Sequence, residues 1–491
     1  MLNFELLIPE LTLAAVAIIV ILLDLFILRK GVLAVVSLAG ILVAAGFTIA
    51  MWGGSYQLIF NNMLAVDNFA LFFKLLFLVV AALVILASVD YVSKFSRFQG
   101  EYYALVLLAA LGMMLMAATT ELISIYIALE LTSISLYALV GFLKDPKSTE
   151  AALKYLLLGA VASAVLLFGM ALVFGFTGKT QLGEISQAIQ SLSLSGVLAS
   201  PGLILGMVLI IAGFGFKIAA VPFHMWVPDV YEGAPTPITA YLSVGSKAAG
   251  FAVILRVFYS AFGIPSWLSL DWMLIFAVLA AIGMTVGNIV ALTQTNIKRM
   301  LGYSSIAQAG YLMVGLAAVG FLWESSYLPT VTGQGALLFF LASYALTNLG
   351  AFTAIIAISN KLDSDLISDY SGMGKRAPLL ALALTLCLIS LIGMPPAAGF
   401  MAKFYIFSAA VQQDLLWLVI IAVINSVISA YYYLRVVKVM WLGEPASGEK
   451  VPSSVALRLA LSISCLGVLL LGIIPGYIMK LAELAARMFA F

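Results

Sequence analysis

GFGFKIAAVPFHMWVPDVYEGAPTPITAYLSVGSKAAGFAVILR, residues 213–256, decides how the rest of this 491-residue chain is read. It holds the only histidine, His224, and two lysines, Lys217 and Lys247, each set among apolar residues. A lysine at the centre of a membrane-spanning helix costs roughly 2.5–3.5 kcal/mol on insertion scales, so two in one stretch need a reason. Pro222 falls inside what hydropathy reads as a span, and proline removes a helical N–H where the charges sit. Charge beside a broken helix at mid-membrane depth is the pattern of an ion pathway.

The surrounding chain agrees. It is 64% hydrophobic and 9% charged, where a soluble domain is about 45–50% apolar and about 25% charged, so a polytopic membrane protein is expected. The net charge of +2 comes from basic residues scattered singly or in pairs, which is no footprint for nucleic acid. The start, MLNFELLIPELTLAA, is acidic and leads into a full-length span, unlike a signal peptide. Cys387 and Cys465 lie in apolar runs of different helices and are expected as buried structural thiols. One histidine and two distant cysteines do not ligate haem or an iron–sulfur cluster by the usual rules, and no strand is predicted, hence no phosphate loop. The expectation is a chain that carries no electrons and binds no cofactor or metal.

Apolar runs of about 20 residues give fourteen expected helices: 6–28, 31–52, 68–89, 102–119, 121–143, 149–176, 201–227, 236–260, 270–294, 298–320, 332–358, 377–410, 413–439 and 455–478. The connections 177–200, 359–376 and 440–454 are the longest, and none holds an extramembrane domain. Loops after odd-numbered helices carry most of the basic residues, among them Lys94, Arg97, Lys298, Arg299, Lys375 and Arg376, whereas the other side carries Lys179, Lys480 and Arg487. The positive-inside rule then puts both termini outside. The connection 228–235 departs from the pattern, being acidic with Asp229 and Glu232. Helix seven breaks around Pro222 and Pro228, and helix twelve at Gly393-Met394-Pro395-Pro396. The breaks are five helices apart, which suggests two inverted five-helix repeats, 102–260 and 270–439, flanked by 1–101 and 440–491.

Six residues are candidates for chemistry. Glu130 lies about ten residues into the fifth span, near the midplane. An unpaired carboxylate there protonates or finds a cation, and a bond to a neighbouring Ser or Thr is the structural alternative. Lys217, Lys247 and Lys403 lie beside breaks or deep in spans, where a desolvated lysine can load and release a proton as its neighbour changes charge. Snorkelling to an interface is the alternative, and it suits Lys74 and Arg256, nearer helix ends, better than Lys247. Lys154 follows Glu150 by four residues, either an ordinary helix-start ion pair or a channel group. His224 sits beside the break with Trp226 and reads as a proton shuttle or as a histidine bonded to freed carbonyls. Ser304, Gln308 and Tyr311, then Tyr344 and Asn348, then Asn425 and Ser426 form polar stripes, either interhelical glue or supports for waters joining the lysines.

The run VPFHMWVPDVYEGAPTPITAYLSVGSKAAG resembles the signature of the subunit N family, antiporter-like membrane subunits of proton-pumping NADH:quinone oxidoreductase (respiratory complex I). The resemblance extends over the whole chain through helix count, matched breaks and charge placement. It implies proton translocation, with Glu130 and Lys217 as a coupled acid–lysine pair, Lys247 as central relay and Lys403 as the lysine of the second broken helix. It also implies a role for Lys154, because the family usually carries a basic residue on that helix. Partners would be the other complex I membrane subunits, antiporter-like and small hydrophobic ones, and the lipid bilayer. NADH, FMN, iron–sulfur clusters and quinone would belong to partner subunits, and the setting would be a bacterial inner (plasma) membrane.

The expected fold class is thus all-α integral membrane, and the expected function a translocase subunit that moves protons through buried Glu and Lys groups, driven by electron transfer elsewhere. The alternatives are a cation/proton antiporter subunit, a related ferredoxin- or hydrogenase-linked membrane complex, or a scaffold without a transport role. Sodium favours carboxylate and carbonyl oxygens, and three lysines repel it, so protons are preferred.

Overall fold

The computed structural model describes residues 4–54, 56–92, 98–194, 201–263, 266–318, 331–445 and 449–487; Lys94 and Arg97 of the loop-charge reading lie outside them. The chain begins with α1 (Ile8–Phe26), α2 (Gly31–Ala50), α3 (Asn68–Val92) and α4 (Gln99–Ala118). Then come α5 (Leu122–Val140), α6 (Pro146–Thr177), α7 (Leu182–Leu194), α8 (Pro201–Ile218), α9 (Val227–Gly233), α10 (Thr236–Tyr241) and α11 (Lys247–Phe262). The second half holds α12 (Ser266–Ala291), α13 (Ile297–Ala317), α14 (Gly333–Leu362), α15 (Met373–Arg376), α16 (Pro378–Ile392), α17 (Ala398–Gln412), α18 (Leu416–Leu442), α19 (Val455–Ile473) and α20 (Gly476–Ala486).

Among the described residues twelve helical segments are long and apolar enough to cross a membrane, and α16 is a shorter apolar one. Two expected spans therefore fall outside the twelve, for different reasons. The twelfth is cut into α16 and α17. The tenth, α13, has the length but carries Ser304, Ser305, Gln308 and Tyr311, and of its residues only Arg299 and Tyr303 escape full burial. Protein rather than lipid surrounds it, so its polarity is tolerated.

Three expectations on regular structure need correction. The polar stretch 177–200 contains α7, an amphipathic helix laid against α11. A two-stranded antiparallel hairpin, β1 (Gln57–Ile59) with β2 (Leu64–Val66), occupies a region expected to hold no strand. Positive φ at Phe60, Asn61 and Asn62 turns that hairpin, and the two asparagines tolerate such backbone. The eighth span is uneven: a π-helical segment, Leu242–Ser246, separates α10 from α11 immediately before Lys247. Short π segments within helices concentrate at functional sites. Pro228 also differs from expectation, since it occupies the first turn of α9, where proline is tolerated, and so starts that helix.

The α10–α11 span is buried along its length except at Ser260. It packs against α3, α4, α8 and α14 and forms the axis of the bundle. Phe4 rests against Phe60 of the hairpin turn, and the hairpin shares a cavity with Leu484 and Arg487, so both ends of the described chain lie on one face, here the terminal face; the loops before α6 and α13 lie on the opposite face.

Candidate functional site

Lys217 stands on the last turn of α8, just before the chain leaves helical geometry over 219–226. Its ammonium is buried and donates to Ser133 Oγ of α5 at 2.5 Å, with the Tyr137 ring 5.8 Å away. Glu130 lies one turn before Ser133 and accepts from Ser163 Oγ of α6 at 2.5 Å. The acid and the lysine are thus brought to neighbouring turns of α5 without an ion pair: each has taken a serine. Among the described residues no ion pair joins Glu130 to Lys217 in this structure.

Lys247 follows the π segment and is 2% exposed. Its Nζ donates to both the carbonyl and the hydroxyl oxygen of Ser305 on α13, the latter at 2.5 Å. Tyr344 Oη of α14 donates to the same hydroxyl at 3.0 Å, and Tyr231 Oη lies 3.2 Å from it. Asn348 Nδ2 continues the chain, to Tyr344 Oη at 3.2 Å and to Ser243 Oγ at 2.6 Å. The α14 stripe, Tyr344 and Asn348, therefore bonds directly to the Lys247 system, whereas Ser304, Gln308 and Tyr311 of α13 bond elsewhere, to Tyr433, the Leu391 carbonyl and Ser426. Ser305, which no sequence feature singled out, is the hub of the Lys247 system.

Lys403 shows why the second break holds a lysine. Pro395 and Pro396 lack the N–H groups that would bond the carbonyls of Leu391 and Ile392 in a continuous helix. Lys403 Nζ replaces both, at 3.3 and 2.8 Å, and adds Ser426 Oγ at 3.1 Å. Gln308 Nε2 also donates to the Leu391 carbonyl, at 3.1 Å. Side chains thus occupy the carbonyls that the two prolines free. Gly393 makes the turn with φ +91°, and a Cβ there would meet Lys403 Cδ at 2.8 Å. The ammonium rests 4.3 Å from the Tyr311 ring centre, and Ser426 Oγ lies 3.3 Å from Tyr311 Oη.

A small cavity lined by Gln308, Ser343, Tyr344, Thr347, Ser390 and Lys403 lies between the last two lysines. It touches Tyr344 of the Lys247 system on one side and Lys403 on the other, and among the described residues the buried Ser343 hydroxyl has no hydrogen-bond partner. Between the first two lysines, Lys217 Cβ packs 3.4 Å from where a side chain at Gly250 would begin, one turn beyond Lys247. The three lysines thus lie in sequence through the interior. Among the described residues no carboxylate comes within ion-pair distance of any of them.

Lys154 and His224 are not brought to this line. Lys154 is 42% exposed and meets Glu150 at 2.7 Å and Asp229 at 2.8 Å. Arg299 bonds Asp229 at 2.7 Å and Glu232 at 3.1 Å, and Lys147 meets Glu232 at 3.0 Å. The acidic connection 228–235 thus sits in a network of alternating charge on the opposite face, which explains its departure from the loop-charge pattern. His224 lies in the turn of the first break, half-buried, and among the described residues its Nδ1 has no hydrogen-bond partner. Trp226 Nε1, two residues on, takes the Phe216 carbonyl at 3.1 Å.

The snorkelling expected of Lys74 and Arg256 is overturned. Arg256 is fully buried and pairs with Asp67 through both terminal nitrogens, at 3.0 and 3.1 Å. Lys74, also fully buried, meets Glu10 at 2.6 Å. The partners, on the cap of α3 and on α1, are invisible to hydropathy.

Residues 119–429 match the family model described as NADH:quinone oxidoreductase/Mrp antiporter, TM. The chain is 55% identical to NADH-quinone oxidoreductase subunit N of Dehalococcoides mccartyi, over 99% of both chains, and 46% identical to that of Trichlorobacter lovleyi, over 99% and 97%. It superposes on a chain of respiratory complex I from Thermus thermophilus, solved with bound aureothin, with a TM-score of 0.79 and 33% identity over 96% and 99% of the two chains. A chain of the membrane-bound sulfane sulfur reductase, an archaeal respiratory membrane complex, gives 0.85 and 26% over 99% and 97%. A chain of the Mrp complex from Dietzia gives 0.82 over 100% and 98%, and at 19% identity that likeness concerns the fold alone.

Proposed function

The chain belongs to the NADH:quinone oxidoreductase/Mrp antiporter membrane family, and from that premise we propose that it serves as the subunit N type of proton-translocating membrane subunit in an NADH:quinone oxidoreductase. It moves protons along Lys217, Lys247 and Lys403. Electron transfer takes place in partner subunits, which hold the NADH, flavin, iron–sulfur and quinone sites.

The observation that carries this reading is the neutrality of the lysines' surroundings. Each ammonium is buried against hydroxyls, carbonyls or a ring, and among the described residues no carboxylate lies at ion-pair distance from it. A lysine held this way gives up a proton at far less expense than one in an ion pair. The serine-separated Glu130 and Lys217 represent the open state of a switch: closing it holds the proton on Lys217, and opening it passes the proton toward Lys247. Ser305, Tyr344 and a water in the cavity beside Ser343 join Lys247 to Lys403; hydroxyls both donate and accept, as a relay requires. Lys154 supports the opposite-face charge network, and His224 lies near the entry at the first break.

Residues 102–260 and 270–439 form two inverted repeats, a reading supported by the two matched breaks, each beside a buried lysine. The terminal face is the outer one, in keeping with the basic residues of the opposite face, and the host is a bacterial plasma membrane, since the named relatives are bacterial. An antiporter role for sodium is less well supported, because lysines without carboxylates repel a cation.

The test is Lys247→Ala in the assembled complex, reconstituted in vesicles. Assembly is expected to persist while protons moved per electron fall by roughly tenfold or more. A wild-type ratio in the variant would sink the proposal.

A further inference from the structure

Two buried ion pairs stand apart from the lysine line, and they are built differently. Asp67–Arg256 is fully bonded: the guanidinium donates to both carboxylate oxygens and, through Nε, to the Ala117 carbonyl at 2.9 Å, and it stacks 4.8 Å from the Phe69 ring centre. Asp67 also caps α3, accepting from the Ala70 N–H at 2.6 Å. Such a pair is a fixed clamp. Glu10–Lys74 has the same charges and equally complete burial of the cation, but nothing beyond the 2.6 Å approach. Among the described residues neither oxygen of Glu10 accepts a hydrogen bond and Lys74 Nζ donates none with proper geometry.

Burying two charges without auxiliary hydrogen bonds removes most of what repays their desolvation, which amounts to several kcal/mol per ion. The neutral form, a carboxylic acid beside an amine, then competes with the ion pair. The clamp also sets the depth of Lys74. Asp67 and Arg256 are bonded, so they are level; Lys74 lies seven residues along α3 from the first, and Lys247 nine residues back along α11 from the second. At 1.5 Å per residue both lysines sit about 10–14 Å inward from the clamp, at similar depth. The α3 helix also packs against α10 and the π segment that precedes Lys247.

We propose that Glu10 and Lys74 form a further proton-exchanging position of this subunit, off the central line and at its depth; the inference rests on the proton-moving role above. Within the pair a proton passes from Nζ to a carboxylate oxygen: one N–H bond breaks, one O–H bond forms, and no net charge moves. A proton arriving at the neutral pair recharges the lysine and leaves the acid protonated, so the pair stores one positive charge. Its departure restores the starting state.

The experiment compares Glu10→Gln, the double variant Glu10→Gln/Lys74→Met and Lys247→Ala in the complete complex in vesicles. The double variant removes both charges at similar volume and so avoids a lone buried ion. It is expected to assemble and to move roughly twofold fewer protons per electron, the loss of one proton position among several. Infrared difference spectra on turnover are expected to lose a carboxylic-acid carbonyl band in Glu10→Gln. Wild-type proton ratio and bands in the double variant, with Lys247→Ala impaired, would make the pair a structural contact and overturn this inference alone. Normal transport in Lys247→Ala would overturn the underlying reading instead.

Discussion

The two helix breaks solve one problem in opposite ways. In the first, between α8 and α9, the Phe216 carbonyl is taken by the indole of Trp226, which donates but does not titrate in water, and Lys217 is left to reach sideways to Ser133. In the second, between α16 and α17, the lysine itself takes the two carbonyls that Pro395 and Pro396 orphan. The charge of Lys403 is therefore part of the backbone's hydrogen bonding, whereas the charge of Lys217 is independent of it. A proton leaving Lys217 disturbs a side-chain contact; one leaving Lys403 weakens the turn that holds two half-helices together. On the proposed proton-moving role, the second break is thus the place where protonation would move the backbone.

The largest effect tests the titration itself. Lys403→Arg keeps charge and donors but does not deprotonate in this range, so proton uptake in vesicles is expected to fall roughly tenfold or more with assembly retained. Uptake at the wild-type level would make Lys403 a fixed charge and erase its contrast with Trp226. Next comes the backbone contrast. Lys403→Met leaves the Ile392 carbonyl without the lysine and is expected to lower stability by about 1–3 kcal/mol, with faster amide exchange over 391–399. Lys217→Met, which orphans only a serine hydroxyl, is expected to leave exchange over 219–226 unchanged. Equal exchange at both breaks in the two variants would abolish the comparison.

Smaller effects sharpen the first break. Glu130→Gln keeps an acceptor for Ser163 but removes the charge that closes on Lys217, so coupled turnover is expected to slow several-fold, while Glu130→Asp retains more activity. Identical behaviour of the two would show that the carboxylate charge is immaterial. Smallest is Trp226→Phe, which removes one hydrogen bond to the Phe216 carbonyl. About 1 kcal/mol of stability is expected to go, seen as a lower melting temperature of the complex, with protons per electron unchanged. A fall in that ratio would mean the first break, too, couples its backbone to transport.

Much of this was legible in the chain because it depends on local chemistry. A run of twenty apolar residues spans a membrane whatever surrounds it, and a proline lacks its N–H wherever it stands. Hence most of the spans, both breaks and the setting of Lys217, Lys247 and Lys403 among apolar residues follow from the sequence alone. Tertiary structure decided which group answers each unpaired one. Ser133 is 84 residues from Lys217, and Ser305 is 58 from Lys247. Arg256 and Asp67 are 189 apart, so hydropathy could only assign the arginine to an interface. The same limit hid the Glu10–Lys74 pair and made α13 look like an ordinary span. Its polar face is acceptable only because other helices cover it. Hydrogen bonds and ion pairs act over a few ångströms between helices that the sequence leaves unordered in space. The need for a partner is therefore written locally, and its identity is fixed only when the helices pack.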